Sequence, residues 1–331
     1  MLITGTFLDE ISHDIPSQNW GPAEWREDFR LMKAVGIDTV ILIRCGHRRW
    51  STYPSQVLSR EVGAFEPPVD LVRLFLELAA EQGMSFFFGT YDSGVFWHRG
   101  EYAKEIQVSR DVVSEAWERY GGSPAFKGFY LSCEVSGRFS GIVDIYADLG
   151  RHCKRVSGGL PVLISPYVAG RKAVDAFKGA VSREDAVTPE RHEREWEEIL
   201  AGIEGAVDML AFQDGHVDFD ELAEYLAINR DLARKHGMQS WTNLETFDRD
   251  MPIKFLPIRW EKLLLKLKAA ESAGLDKVIT FEFSHFLSPQ SAYRQAAGLF
   301  SRYIENRGIA DPRRRPSAPR RRPGHEPTTM V

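Results

Sequence analysis

Four stretches of the chain repeat one local pattern: AVGIDTVILI from Ala34, EQGMSFFFG from Glu81, KHGMQSWTN from Lys235 and SAGLDKVITF from Ser272. Each reads as a helix end, a glycine, a short turn and a strand. Glycine closes a helix readily because it adopts the left-handed conformation without steric cost. Units of this kind place parallel strands side by side with helices outside them.

The spacing predicts eight such strands: Leu2–Leu8, Thr39–Arg44, Ser85–Tyr91, Phe126–Cys133, Pro161–Tyr167, Val207–Gln213, Gln239–Leu244 and Lys277–Phe283. Between them, apolar residues recur at three- and four-residue steps in Pro22–Val35, Val69–Gln82, Arg110–Tyr120, Glu190–Ile203, Phe219–His236 and Ile258–Ala273. Eight βα units predict an α/β fold, a single (β/α)8 TIM barrel spanning residues 1–307. No GxGxxG or GxxxxGK[ST] follows a strand, which argues against an open nucleotide-binding sheet.

The end of the chain differs in kind. From Ala310 onward there are six arginines and five prolines, so residues 308–331 are expected to form a disordered basic tail. That tail carries about +4 of charge, so the body carries about −9 to reach the total of −5. This balance gives no reason to expect nucleic acid or a membrane surface as partner. No apolar run of about 18 residues exists to span a bilayer, and LITGTFLDE after Met1 reads as a strand rather than a signal peptide. Three widely spaced cysteines, Cys45, Cys133 and Cys153, outline neither a disulfide framework nor a zinc site. The expectation is a reduced, cytoplasmic protein that needs no cofactor and no metal; the oligomeric state stays open.

Chemistry in such a barrel sits at the C-terminal ends of its strands. In the fourth strand, alternation puts Phe129, Leu131 and Cys133 on one face and Tyr130, Ser132 and Glu134 on the other. In the seventh, Trp241, Asn243 and Glu245 share a face opposite Leu244. Two carboxylates thus enter one cavity from across the barrel. Hydrolysis of a glycosidic bond needs such a pair, one protonated to assist the leaving group and one ionised as nucleophile or base.

At these residues the chain resembles the large clan of retaining barrel glycosidases whose catalytic glutamates stand on strands four and seven. That resemblance implies Glu134 as acid/base and Glu245 as nucleophile, acting on an oligo- or polysaccharide substrate. The clan carries asparagine before its acid/base; here Cys133 stands there, leaving a sugar hydrogen bond to Asn243 or Gln213. TGTFLDEISHDIPSQNWGPAEW and LMKAVGIDTVILIR also resemble a bacterial family of glycosidase-like barrels catalogued as a domain of unknown function, over residues 2–305.

Other residues fit a sugar site. Arg44, placed on the inward face of strand two, is expected to hold Glu245 ionised, or else to serve a barrel-layer salt bridge. Trp20, Trp50, Tyr91, Phe96, Trp97, Tyr167 and Trp241 are candidate stacking platforms, though any one of them also suits a core. His13, His47, His98, His216 and His285 follow strands, and Asp9 and Asp92 suit turn caps. A rival reading takes Glu134, Asp214, His216, Glu245 and Glu282 as ligands of a metal-dependent sugar isomerase or epimerase. Under the glycosidase reading Glu282 binds hydroxyls or tunes a pKa, and Asp214 binds substrate. A third reading is a barrel that binds carbohydrate without cleaving it.

Overall fold

The computed structural model of the protein describes residues 1–137, 139–172, 186–249 and 255–314. Eight parallel strands close into a barrel in sequence order: β1 (Gly5–Leu8), β2 (Thr39–Leu42), β3 (Ser85–Gly89), β4 (Phe126–Leu131), β5 (Val162–Ile164), β6 (Met209–Gln213), β7 (Gln239–Glu245) and β8 (Lys277–Phe281). β8 returns to β1 with Ile279 beside Gly5, and β7 sets Glu245 beside Phe281 of β8. The outer ring consists of α1 (Pro22–Ala34), α2 (Leu71–Gln82), α3 (Tyr102–Tyr120), α4 (Ile142–Ser157), α5 (Pro189–Gly202), α6 (Leu222–Lys235), α7 (Trp260–Ala273) and α8 (Arg294–Arg307).

Local chemistry sets these boundaries. Asp70 caps α2 by accepting from the Arg73 amide, and Gly83 ends the helix with φ of 60°. Gly36, Gly237 and Gly274 likewise have positive φ, as the repeated pattern requires. α3 starts at Tyr102, eight residues before the expected Arg110, because Glu105 and Val108 extend its buried stripe. β5 is the shortest strand of the barrel, only Val162–Ile164 against the expected Pro161–Tyr167. Gly89 ends β3 where the Leu42 carbonyl of β2 fills the space a Cβ would need, so no larger residue fits without moving a strand.

Alternation along the strands builds two apolar layers. Phe7, Ile41, Phe87, Tyr130, Leu163, Met209, Ala211, Trp241 and Ile279 fill the barrel interior. Phe86, Phe88, Phe129, Leu131, Cys133 and Phe212 face outward into the helices, where Trp196 of α5 meets the Phe212 ring edge-on at 4.7 Å. Burying one such side chain contributes about 1.5–3 kcal/mol. All three cysteines are buried free thiols.

Two short sheets extend the barrel mouth. Gly46–His47 pairs with Trp50–Ser51 and with Tyr91–Asp92, which continues the β2–β3 edge upward. Phe247–Asp248 pairs antiparallel with Leu256–Pro257 above β7. At the other end of the chain the first residues of the expected tail touch the barrel's helices. Ile309 packs on the core, Pro312 accepts a hydrogen bond from Arg30, and the Arg313 guanidinium lies 5.3 Å over Phe300. Residues 315–331 of the expected tail lie outside the described residues.

Candidate active site

β4 and β7, with β5 and β6 between them in the barrel, deliver the two carboxylates into one cavity. Tyr130, inside the barrel, points its hydroxyl up to donate to Glu134 Oε1 at 2.6 Å. Gln213, at the end of β6, also hydrogen-bonds the Glu134 carboxyl. Burial raises the Glu134 pKa above the usual 4.5; the Arg44 charge and these two neutral donors oppose that rise without cancelling it.

Glu245 meets a different environment. Arg249 grips both of its oxygens, Nε to Oε2 at 2.8 Å and Nη2 to Oε1 at 2.6 Å. The Glu245 amide donates to Asp214 Oδ1 at 3.0 Å. Lys266 of α7 bonds that same oxygen at 2.7 Å and the Glu245 carbonyl at 3.1 Å. Burial by itself would raise the Glu245 pKa, but Arg249, then Lys266 and His216, outweigh it and hold the group below 4.5. Asp214 is raised instead, because burial and the Glu245 charge exceed what Lys266 offsets. One carboxyl is thus biased toward the acid and its partner toward the anion.

Both line a cavity of about 110 Å³ at the barrel mouth. The segment after β1 contributes Asp9, Ser12, Asp14 and Ile15, and the segment after β2 contributes Ile43 and Arg44. Gln213 and Asn243 form the floor beside the glutamates, and Phe247, Arg249, Phe255 and Phe281 the remaining wall. A wider depression of about 460 Å³ lies along Ser51–Pro67 and Arg119, apart from both glutamates.

The structure gathers Glu134, Glu245, Arg44, Gln213 and Asn243 in one cavity and leaves the other candidates elsewhere. Arg44 lies beyond β2, where inward positions are Ile41 and Ile43, so alternation does not place it. Its guanidinium does not hold Glu245; it donates to Asp92 at 2.8 Å, and Arg249 performs the expected task. Trp97 supports that pair through Nε1 to Asp92 Oδ1 at 3.0 Å. Asp214 stands one contact behind the cavity, holding β7 to α7.

The expected stacking platforms are mostly structural. Trp20 packs edge-on against Trp25, Tyr91 is buried with its hydroxyl on the Arg48 carbonyl, and Trp241 lies in the barrel interior beside Phe87. Trp50, 58% exposed, pairs with Phe65 on the surface, and Tyr167 meets the His216 ring. Phe247, Phe255 and Phe281 supply the aromatic wall that those residues were expected to form. Glu282 is fully buried, caps the one-turn helix Phe283–Phe286 and binds His285, whose pKa rises to about 9 through that partnership. With Glu282 committed to His285, Asp214 to Lys266 and Glu245 to Arg249, the residues of the metal-site reading do not converge as a ligand set.

Sequence reasoning missed Arg249, Lys266 and Gly215. Lys266 carried a readable signal: it falls in the buried stripe of α7 with Leu263, Leu267 and Ala270, where a lysine needs a buried anion. At Gly215 a Cβ would occupy the space of the Glu245 carboxylate and the Arg249 guanidinium. Gly215→Ala is therefore expected to separate that ion pair, cost about 1–3 kcal/mol by overpacking, and lower activity beyond what thermal unfolding explains. Wild-type activity and melting temperature together would remove Gly215 from the site.

Barrel, paired glutamates and mouth loops together define a glycosidase-like (β/α)8 barrel. Residues 3–293 match the family described as domain of unknown function DUF4434, and the chain belongs to that family. It is 53% identical to a candidate alpha-L-fucosidase from Bacteroides thetaiotaomicron, whose crystal structure superposes with a TM-score of 0.90 over 93% of this chain and 96% of that one. A beta-galactosidase from Marinomonas ef1 shares the fold at 12% identity, with a TM-score of 0.53 over 93% of this chain and 61% of its own. An endo-1,4-beta-D-mannanase from Thermotoga petrophila does so at 12% identity and a TM-score of 0.51, over 85% of this chain and 88% of its own. No curated protein matches the chain. Among the described residues, no helix is long and apolar enough to cross a membrane.

Proposed function

We propose that this protein is a retaining glycoside hydrolase in which Glu245 attacks the anomeric carbon and Glu134 protonates the departing oxygen. The observation that carries the proposal is the contrast between two carboxyls in one cavity, Glu134 half-buried and Glu245 buried. Glu134 is bonded by neutral donors and raised, whereas Glu245 is ion-paired and lowered. In the first step one Glu245 oxygen bonds the sugar while the other keeps its bond to Arg249. Glu134, now ionised, then takes a proton from water, which displaces Glu245 from the sugar.

An α-L-fucoside is the substrate to test first. The 53%-identical relative carries that description, and the wall of Ile15, Phe247, Phe255 and Phe281 suits the methyl group of a 6-deoxy sugar. The experiment is a panel of 4-nitrophenyl glycosides, including the α-L-fucoside, with the product anomer followed by NMR. We expect turnover with retained configuration and a bell-shaped pH profile. Activity falls at acid pH as Glu245 gains a proton below 4.5, and at higher pH as Glu134 loses its own above 4.5. An inverted product would remove Glu245 as nucleophile.

A further inference from the structure

Buried polar atoms ordinarily find a partner, and leaving one unpaired costs about 1–3 kcal/mol. Four residues of this one cavity, Asp9, Ser12, Arg44 and Asn243, each present a buried side-chain atom without a hydrogen-bond partner among the described residues. The atoms are Asp9 Oδ2, Ser12 Oγ, Arg44 Nε and Asn243 Oδ1. Asp9 itself is only 1% exposed.

The other half of each group is firmly held. Asp9 Oδ1 accepts from the Ile11 and Ser12 amides at 3.2 and 3.0 Å, which fixes the carboxylate on the turn after β1. Asn243 Nδ2 donates to Ser165 Oγ at 3.1 Å, which fixes its carbonyl oxygen. The turn-capping role expected of Asp9 is therefore real but uses one oxygen only. A polyhydroxylated ring supplies the donors that both remaining acceptors need. A cavity of about 110 Å³, below the roughly 300 Å³ usual for larger ligands, suits one such ring.

We infer that Asp9 is the hydroxyl-anchoring, specificity-determining residue of the sugar subsite, with Asn243 as second acceptor. This rests on the glycosidase reading for its setting, but binding tests it independently of hydrolysis. Asp9→Asn keeps the oxygen that caps the turn and converts Oδ2 from acceptor to donor.

The test is calorimetric titration of the full chain and of Asp9→Asn with L-fucose, D-galactose and D-glucose. Monodeoxy analogues of whichever sugar binds are then titrated into both proteins. The expected result is a 10- to 150-fold loss of affinity in Asp9→Asn, the range for a hydrogen bond to a charged group, with unchanged circular dichroism. One deoxy analogue should cost the wild type the same factor and cost Asp9→Asn nothing more, because sugar hydroxyl and carboxylate form one contact. Equal affinity in the variant, additive losses, or no binding of any of the three sugars to the wild type overturns the assignment. Asp9-dependent binding without hydrolysis would fell the catalytic reading alone; hydrolysis indifferent to Asp9→Asn would fell this one alone.

Discussion

Glu245→Ala is expected to lower turnover of an activated aryl glycoside by about 10⁴-fold or more, the scale on which loss of a covalent nucleophile acts. Azide should then restore part of the rate, entering the space the carboxylate left and giving a glycosyl azide of inverted configuration. That readout separates a nucleophile from any other essential carboxylate. The variant leaves Arg249 without its anion and Gly215 facing a void, so circular dichroism must accompany the kinetics. If azide instead rescues Glu134→Ala with inversion and Glu245→Ala with retention, the two roles are exchanged.

Glu134→Gln should behave differently according to the leaving group. A sugar or methyl leaving group needs its proton, and general acid assistance contributes about 10²–10⁴-fold. A 2,4-dinitrophenyl group departs without one, so its cleavage step should survive almost unchanged. The amide preserves contact with Tyr130 and Gln213, so the fold is expected to hold. The high-pH limb of the profile should disappear with the carboxyl. Equal losses for both leaving groups would show that Glu134 positions the substrate rather than protonating it.

Both glutamates could be placed from the amino-acid order because strand periodicity holds through β4 and β7 and the residues stand at or just past the strand ends. The same arithmetic failed at Arg44, because the interior positions are Ile41 and Ile43, which puts Arg44 on the opposite parity; it reaches the cavity where the chain turns into the mouth sheet. The aromatics failed for another reason. Counting tryptophans near strand ends does not tell a ring turned to the helices, as Trp20 is, from one below the cavity, as Trp241 is. Arg249 was hidden because its partner lies four residues back across a strand end, in a segment with no helical register to link them. Gly215 offered no chemical signal at all, because its contribution is the volume it does not fill.

Phe7, Phe87, Tyr130 and Trp241 plug the barrel beneath the glutamates, with Phe7 edge-on to Tyr130 at 5.0 Å. In the proposed reaction this plug bars the way from below, so among the described residues the traffic runs through the mouth. The sugar enters first and leaves last, while the aglycone departs before water can arrive by the same route. Water and any alcohol dissolved around the enzyme therefore compete at the mouth, and whichever reaches the glycosyl–Glu245 ester first decides whether the protein dismantles glycosides or assembles them.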